Sequence, residues 1–523
     1  MPKSVRTLLI LLILLLPSAY NAWRDRTMPD LGYLHDDGVL FVSAKSVATS
    51  NGYRIPSLPE QPAQTKFPPL YPLYLSLVWQ VNPDFPENLG LATLLSWVAL
   101  AGTLVLALWL YRRTGFSEPR AWVLVGLLAL NPYMILFGTR MFSEVFFTAW
   151  VLATLLVISR GGIGMAVLAG LLAGCAYLSR TAGIALLISV PAILIWKREW
   201  RRGVAFAAAM LPVVVGWSIW TRANMPASPD QTLLYYTDYV RYQFLNVGLD
   251  NLGVVLWKNL DQVLYAIGSL AMPKMVDLLP MKILTQVIAI AMIAGTVRLV
   301  RRGVLFHYAA FGLVSTGMLL VWHFPPNERF VLPLIPLLAA GLVEELEHLA
   351  KMLLAGFRHR EVGQRVVACI IATVAVAIFG TAAAMQGYVT FVFLHESAEQ
   401  KSAKLHDLKE AYSWISANLP ASASMLAYDD PLLYLYTGRR GNYLPLLPRW
   451  WYAEDHAAMI GAYRDVANYC RQRGLDYILF TSQDLSREVG EEDRQAIEKA
   501  VREDPRLKPL YRGGIATVYK LED

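Results

Sequence analysis

Residues 163–202, IGMAVLAGLLAGCAYLSRTAGIALLISVPAILIWKREWRR, decide the topology of this chain. Two apolar blocks, 163–179 and 182–196, are separated only by Ser179-Arg180-Thr181, and the stretch closes on Lys197-Arg198-Glu199-Trp200-Arg201-Arg202. As one fused span, the blocks would leave that basic cluster outside the membrane. As a hairpin, they return it to the cytoplasmic side, where short loops accumulate Lys and Arg. The hairpin fits the charge.

Working outward from this hairpin, similar apolar blocks recur along the chain. About eleven spans are expected, near 6–22, 90–111, 120–138, 142–159, 163–179, 182–196, 203–221, 283–298, 304–322, 329–346 and 366–391. Leu8 to Leu16 followed by Pro17-Ser18-Ala19 is compatible with a signal peptide. The many later spans, and a parity that works with an inside N-terminus, favour a retained first span.

Composition agrees. Hydrophobic residues make up 55% of the chain and charged residues 17%, with a mean hydropathy of +0.39; a soluble domain carries about a quarter charged residues. The net charge of +7 does not point to nucleic acid. The basic residues sit in short loops, at Arg112-Arg113, Lys197 to Arg202, Arg298 to Arg302 and Lys351 to Arg365, as the positive-inside rule requires. The three cysteines, Cys175, Cys369 and Cys470, offer neither a disulfide framework nor a zinc spacing.

This topology divides the chain into a transmembrane domain, 1–394, and an external domain, 395–523. Two long external loops belong to the first: about 23–89, and an aromatic one at about 222–282 carrying Tyr235, Tyr236, Tyr239, Tyr242, Phe244 and Trp257. In the tail, helices are expected at 401–418, 455–473 and 491–502, and strands at 424–427, 476–481 and 515–521. Apolar runs of strand length alternating with helical patterns make this a small α/β sandwich. The tail holds no glycine fingerprint, Walker motif or nucleophile elbow. The fold class is therefore an α-helical polytopic membrane protein with a C-terminal soluble α/β domain.

Chemistry gathers at the outer ends of the spans. His35-Asp36-Asp37-Gly38 opens the first external loop, and Thr65-Lys66-Phe67-Pro68-Pro69-Leu70-Tyr71-Pro72 follows. A carboxylate beside another near an apolar surface suits a general base; the pair could equally hold a divalent cation or open a helix over Gly38 to Ala48. Lys66 is presented from a proline-stiffened segment, either as a clamp for a lipid phosphate or as a snorkelling anchor. Arg140 and Glu144 share one face at the start of the fourth span, as a functional pair or as a local ion pair. Arg180 lies in the hairpin turn and Arg329 opens the tenth span, with His323 just before it.

In this order the motifs resemble those of the GT-C superfamily, membrane glycosyltransferases with polyprenyl-phosphate sugar donors that include protein O-mannosyltransferases and lipid A aminoarabinose transferases. The residues that carry the resemblance are the acidic pair running into Ala44-Lys45-Ser46-Val47-Ala48, then Asn51-Gly52-Tyr53, and Lys66-Phe67-Pro68-Pro69, similar to a Lys-x-Pro-Pro element. Arg140 with Glu144, Leu178-Ser179-Arg180-Thr181-Ala182-Gly183, and Arg329-Phe330 with Pro333 and Pro336 complete it, over roughly residues 1 to 345.

The resemblance implies a GT-C fold of about 11 transmembrane helices and an inverting transfer to an acceptor hydroxyl on the external face. Asp36 would be the base, expelling polyprenyl phosphate. Many relatives have Asp-Glu where this chain has Asp36-Asp37, which leaves Asp37 open as the base. Lys66, Arg180 and Arg329, with His323, would hold the donor phosphate. Glu144, Asp37, Arg140 and Tyr71 would orient sugar or acceptor. A monophosphate leaving group can be neutralised by basic side chains, so no cofactor is expected, although a divalent cation stays open. The partners are a polyprenyl-phosphate sugar, a lipid, glycan or protein acceptor and the bilayer. A bacterial inner membrane is the expected location, with the C-terminal domain periplasmic. The rival functions are a polyprenyl-pyrophosphate glycan ligase and a lipid-linked-sugar transporter or flippase, whose sites lie nearer the bilayer midplane.

Overall fold

The structure is a computed structural model that describes residues 3–32, 34–227, 230–275, 278–358, 362–486 and 488–522. His359 and Arg360 of the fourth basic cluster, and residues 228–229 and 276–277 of the aromatic loop, lie outside the described residues. The chain forms two compact units. One comprises Met1–Arg24, Thr93–Trp217 and Leu256–Glu396; the other comprises Asp25–Ala92, Ser218–Val255 and Ser397–Asp523.

The first unit is helical, and each of the eleven apolar segments read from the sequence is helical in the structure. A bilayer core is about 30 Å thick, so a straight span needs about 20 residues. By length and composition, five helical runs among the described residues meet that: Ser4–Arg24, Leu89–Arg113, Trp200–Asn224, Leu279–Arg301 and Arg365–Asn418. The pair Glu118–Ala129 and Pro132–Gly138, bent by 61°, makes a sixth if it is one broken span rather than a re-entrant loop. The bend has a local cause. Asn131 caps the second piece, its side chain accepting from the backbone N–H of Tyr133 and Met134, and Pro132 takes the first helical position. Ser143–Ile158, Ile163–Ser179, Thr181–Trp196 and Phe306–Val321 are apolar but shorter. Leu313, Val376 and Trp196 are 76%, 73% and 70% exposed, which suits contact with lipid rather than water. The chain is an integral membrane protein.

At the hairpin that opened the sequence, helix Ile163–Ser179 ends at an extended Arg180, and a 3₁₀ turn, Thr181–Gly183, starts Ile184–Trp196. The two helices pack on one another. Basic residues of the short loops are partly neutralised. Arg298 binds Glu345 through Nε at 2.7 Å and Nη2 at 3.3 Å, while Arg302 and Arg120 reach Glu344 at 2.6 and 2.8 Å. These carboxylates lie on Ile335–Arg358, which packs tightly against Leu279–Arg301. Glycine makes that approach possible: a Cβ on Gly341 would fall 2.3 Å from the Met292 carbonyl oxygen, and one on Gly295 would fall 1.8 Å from that of Gly341.

The second unit contains a five-stranded mixed sheet. Its strands are β1 (Ser424–Ala427), β2 (Arg440–Asn442), β3 (Tyr477–Thr481), β4 (Leu507–Gly513) and β5 (Ala516–Leu521), in the order β2-β1-β3-β5-β4. β1 runs parallel to β2 and β3, and β5 antiparallel to β3 and β4. The expected strands at 424–427, 476–481 and 515–521 are present, as is helix Glu491–Arg502. The helix expected over 401–418 begins earlier, at Leu394, and the one over 455–473 is divided at Asp465 into His456–Arg464 and Val466–Arg473. Parts of the two long loops belong to this unit. Helices Asp36–Ala48 and Leu70–Val81 pack together, and the Trp79 indole N–H donates to the Phe41 carbonyl at 3.2 Å. The Gly441 N–H of β2 donates to the Ser57 carbonyl at 2.9 Å.

The glycine contact in the membrane unit gives a direct test. Gly341→Val forces two backbones apart, and overpacking of this kind costs about 1–3 kcal/mol. A thermal melt of the detergent-purified protein is expected to shift downward, whereas Gly363→Val, at a position with open space around it, leaves the midpoint within about 1 °C, as surface changes do.

Candidate functional site

In the second unit, helix Asp36–Ala48 begins with both carboxylates in its first turn, where the positive end of the helix dipole favours them. The two aspartates do different things. Asp37 is 3% exposed, and its Oδ2 accepts the Gly32 N–H at 3.0 Å. Asp36 keeps a side chain 26% exposed, and its Oδ1 lies 3.7 Å from Lys66 Nζ. Lys66 itself is well buried. Its ammonium sits over three rings, at 4.3 Å from the Tyr235 centroid, 4.6 Å from Tyr239 and 4.9 Å from Phe67. An aromatic cage favours a cation after it has lost part of its hydration.

The lysine segment is held by more than its prolines. Thr65 Oγ1 donates to the Thr237 carbonyl at 2.6 Å, and Gln64 Oε1 accepts from the backbone N–H of Lys66 and Phe67 at 3.2 and 3.3 Å. Tyr53 donates to the Phe67 carbonyl at 2.9 Å. Pro69 then caps helix Leu70–Val81, on which Tyr71 is buried, 6.5 Å from the Tyr74 ring.

Behind Asp36 lies a cluster that no spacing in the sequence reveals. His35 is buried, and its Nε2 meets Oδ1 of Asp430 at 2.9 Å; Asp430 is 0% exposed. With Nε2–H directed at the carboxylate, Nδ1 accepts the Tyr235 hydroxyl at 3.3 Å. The Tyr236 hydroxyl also donates to Asp430, in a short contact, and accepts the Tyr443 N–H at 3.2 Å. Burial holds both tyrosine hydroxyls well above their ordinary titration range, with the charge of Asp36 adding at Tyr235 and that of Asp430 adding at Tyr236. Both therefore remain donors. His35 has φ 59°, and a non-glycine residue there is strained by about 1–3 kcal/mol unless its surroundings enforce the conformation. Gly38 gives the approach room: a Cβ there would stand 2.8 Å from Pro431 Cβ.

In the membrane unit a second charged group forms around Glu144, which is 0% exposed at the start of helix Ser143–Ile158. Its Oε1 accepts from Arg180 Nη1 at 2.7 Å and from Arg329 Nε at 2.7 Å. Arg180 also donates to Ser143 Oγ at 3.0 Å, and Arg329 lies 4.8 Å over the Phe142 ring. Residues 144, 180 and 329 are thus brought together, and the trio carries one positive charge in excess. Arg140 is buried, with Nη1 at 3.5 Å from the Thr139 carbonyl. His323 is 0% exposed, and its Nδ1 lies 2.9 Å from the Val321 carbonyl. Among the described residues, no group of three or more His, Cys, Asp or Glu side chains is arranged to hold a metal ion.

No family model matches the chain, and no curated protein does. Solved structures do. ArnT from Cupriavidus metallidurans bound to undecaprenyl phosphate is 13% identical with a TM-score of 0.54, covering 99% of this chain and 98% of that one. In the apo state, the same protein gives 12% identity and a TM-score of 0.52, over 92% of both chains. The Archaeoglobus fulgidus oligosaccharyltransferase, in complex with Zn and sulfate, is 12% identical with a TM-score of 0.52, covering 98% of this chain and 73% of that one. The chain shares the fold of these two proteins.

Glu144 offers a test of the arginine cluster. Removing one partner of a buried ion pair leaves uncompensated charge at a cost of about 3–5 kcal/mol. Glu144→Ala is expected to lower the melting midpoint of the purified protein sharply, while Glu492→Ala, on the exposed surface, leaves it unchanged; a midpoint unchanged in Glu144→Ala would show that the cluster does not hold the helices.

Proposed function

We propose that this protein is a membrane glycosyltransferase that moves a sugar from a polyprenyl-phosphate donor to an acceptor hydroxyl on the external face. The observation that carries the proposal is the Asp36–Lys66 pair, a partly exposed carboxylate 3.7 Å from a caged ammonium. It occurs in a chain whose fold matches that of an ArnT bound to undecaprenyl phosphate.

The chemistry follows from where charge must move. Asp36 takes the proton of the acceptor hydroxyl. The oxygen attacks the anomeric carbon from the face opposite the phosphate, the C–O bond to phosphate breaks, and polyprenyl phosphate leaves with its electron pair. Configuration at the anomeric carbon inverts. Lys66 serves both ends of the step. While it faces Asp36 it lies against the carboxylate's charge; drawn toward a donor phosphate it leaves that carboxylate to accept a proton and meets the charge growing on the leaving oxygen. Asp36 is a better base than Asp37, whose Oδ2 is committed to the Gly32 N–H. Lys66 is the phosphate contact that the second unit supplies, and the rings of Tyr235 and Tyr239 beside it offer faces for a sugar.

Transfer is proposed to be metal-independent, because a monophosphate leaving group can be met by Lys and Arg alone. A pyrophosphate-dependent ligase is the second reading, supported by the likeness to an oligosaccharyltransferase in complex with Zn. The two part on one reagent: a chelator leaves the first active and stops the second.

In membranes supplied with radiolabelled polyprenyl-phosphate hexoses and pentoses, Asp36→Asn is expected to lower release of polyprenyl phosphate by about 10²–10⁴-fold, the usual worth of a general base. Lys66→Ala is expected to cost about 10²–10³-fold. Asp37→Asn weakens one charge-assisted hydrogen bond, costing about 1–3 kcal/mol of stability with a smaller loss of rate. Loss confined to Asp37→Asn would move the base by one residue.

A further inference from the structure

The C-terminal segment supplies no group to the reaction proposed above, yet one of its carboxylates is fully buried against the residue that precedes Asp36. Asp430 opens helix Asp430–Thr437. From it a continuous chain of contacts runs to the reacting pair. Asp430 Oδ1 meets His35 Nε2 at 2.9 Å, His35 Nδ1 lies 3.3 Å from the Tyr235 hydroxyl, and the Tyr235 ring lies 4.3 Å beneath the Lys66 ammonium. Lys66 then faces Asp36 at 3.7 Å.

Three features mark this as a built contact rather than incidental packing. His35 holds a positive-φ backbone, φ 59° and ψ −46°, in the residue immediately before the Asp36 helix; a conformation of that kind persists only when its neighbours fix it. Tyr236 gives Asp430 a second donor, and the Tyr443 N–H fixes the Tyr236 oxygen in turn. Gly38 lies where any larger residue would collide with Pro431 and push Asp430 away. The glycine of His35-Asp36-Asp37-Gly38 thus keeps room for a residue almost four hundred positions away.

We propose that Asp430 is a positioning residue of the transfer site, fixing through His35 and Tyr235 the geometry in which Lys66 and Asp36 meet. Its effect on catalysis rests on the transferase function proposed above; the anchoring itself does not. Asp430 touches neither donor nor acceptor in this account. It sets the entry of the Asp36 helix and the orientation of the ring that carries Lys66, and it gives the C-terminal segment a part in a reaction whose acting groups lie elsewhere in the sequence.

The test compares full-length wild type with Asp430→Asn, which keeps the shape and one acceptor oxygen, and with Asp430→Ala. Displacing reacting groups by about 1 Å costs about 10²-fold. Saturated transfer is therefore expected to fall about 100-fold in Asp430→Ala and about 10-fold in Asp430→Asn, with the loss in kcat exceeding any rise in KM for the donor. Hydrogen exchange read by mass spectrometry is expected to quicken over residues 34–48 and to stay unchanged in β3. If both variants keep wild-type kcat while Asp36→Asn is inactive, the positioning role is overturned and the transferase stands. Exchange that quickens equally across the tail sheet also overturns it, marking Asp430 as a residue of general stability. If wild type releases polyprenyl phosphate from no donor, the function falls instead; exchange quickened only over 34–48 still supports the anchoring, and unchanged exchange there overturns it.

Discussion

Charge taken out of water has to meet opposite charge or directed hydrogen bonds, because a buried unpaired ion costs several kcal/mol. In an apolar chain of this kind that constraint organises each unit. Glu144, with no exposed surface, holds two arginines from distant parts of the sequence. Lys66 is enclosed by three rings and faces Asp36. Asp430, equally buried, takes His35 and Tyr236. Elsewhere, Arg298, Arg302 and Arg120 pair with the carboxylates of Ile335–Arg358. Each contact fixes where its helices begin or how they pack, so the groups available for chemistry are also groups that hold the fold.

That double role bears on mechanism. Glu144 has no exposed surface through which to meet a substrate. The Asp36 side chain keeps a quarter of its surface exposed, enough to meet an acceptor, while its lysine partner is nearly enclosed. The asymmetry suits a step in which the carboxylate receives a proton from outside and the ammonium stays within a stiff frame. The neighbouring Asp37, turned inward to the Gly32 N–H, shows how two adjacent residues of one type take different work from their places in a first helical turn.

Much of the architecture was legible in the sequence because apolar blocks of span length have few alternatives. Helices occupy these blocks and a turn parts two of them at Arg180, while five helical runs among the described residues, or six if the bent pair is one span, are long and apolar enough to cross a membrane. The bend at Asn131-Pro132 escaped notice because its cap lies inside an otherwise continuous apolar run. In the tail, β1, β3 and β5 were legible as apolar runs; β2, of three residues, was too short to register. β4 lies at the sheet edge and reads Leu507-Lys508-Pro509-Leu510-Tyr511-Arg512-Gly513, polar and containing proline, as edges permit. Lys66 and the acidic pair stood out by their motif. Asp430 did not, since only folding brings it to His35, and the pair Asp429-Asp430 before a proline looks like any helix start.

The central claim is an inverting displacement of polyprenyl phosphate. It is tested most directly by giving purified full-length protein a polyprenyl-phosphate sugar of defined anomeric configuration and following proton and phosphorus NMR of the products. The account predicts a lipid monophosphate and a transferred or hydrolysed sugar whose anomeric centre is inverted when first formed. A retained configuration, or turnover only with a pyrophosphate donor, would contradict it.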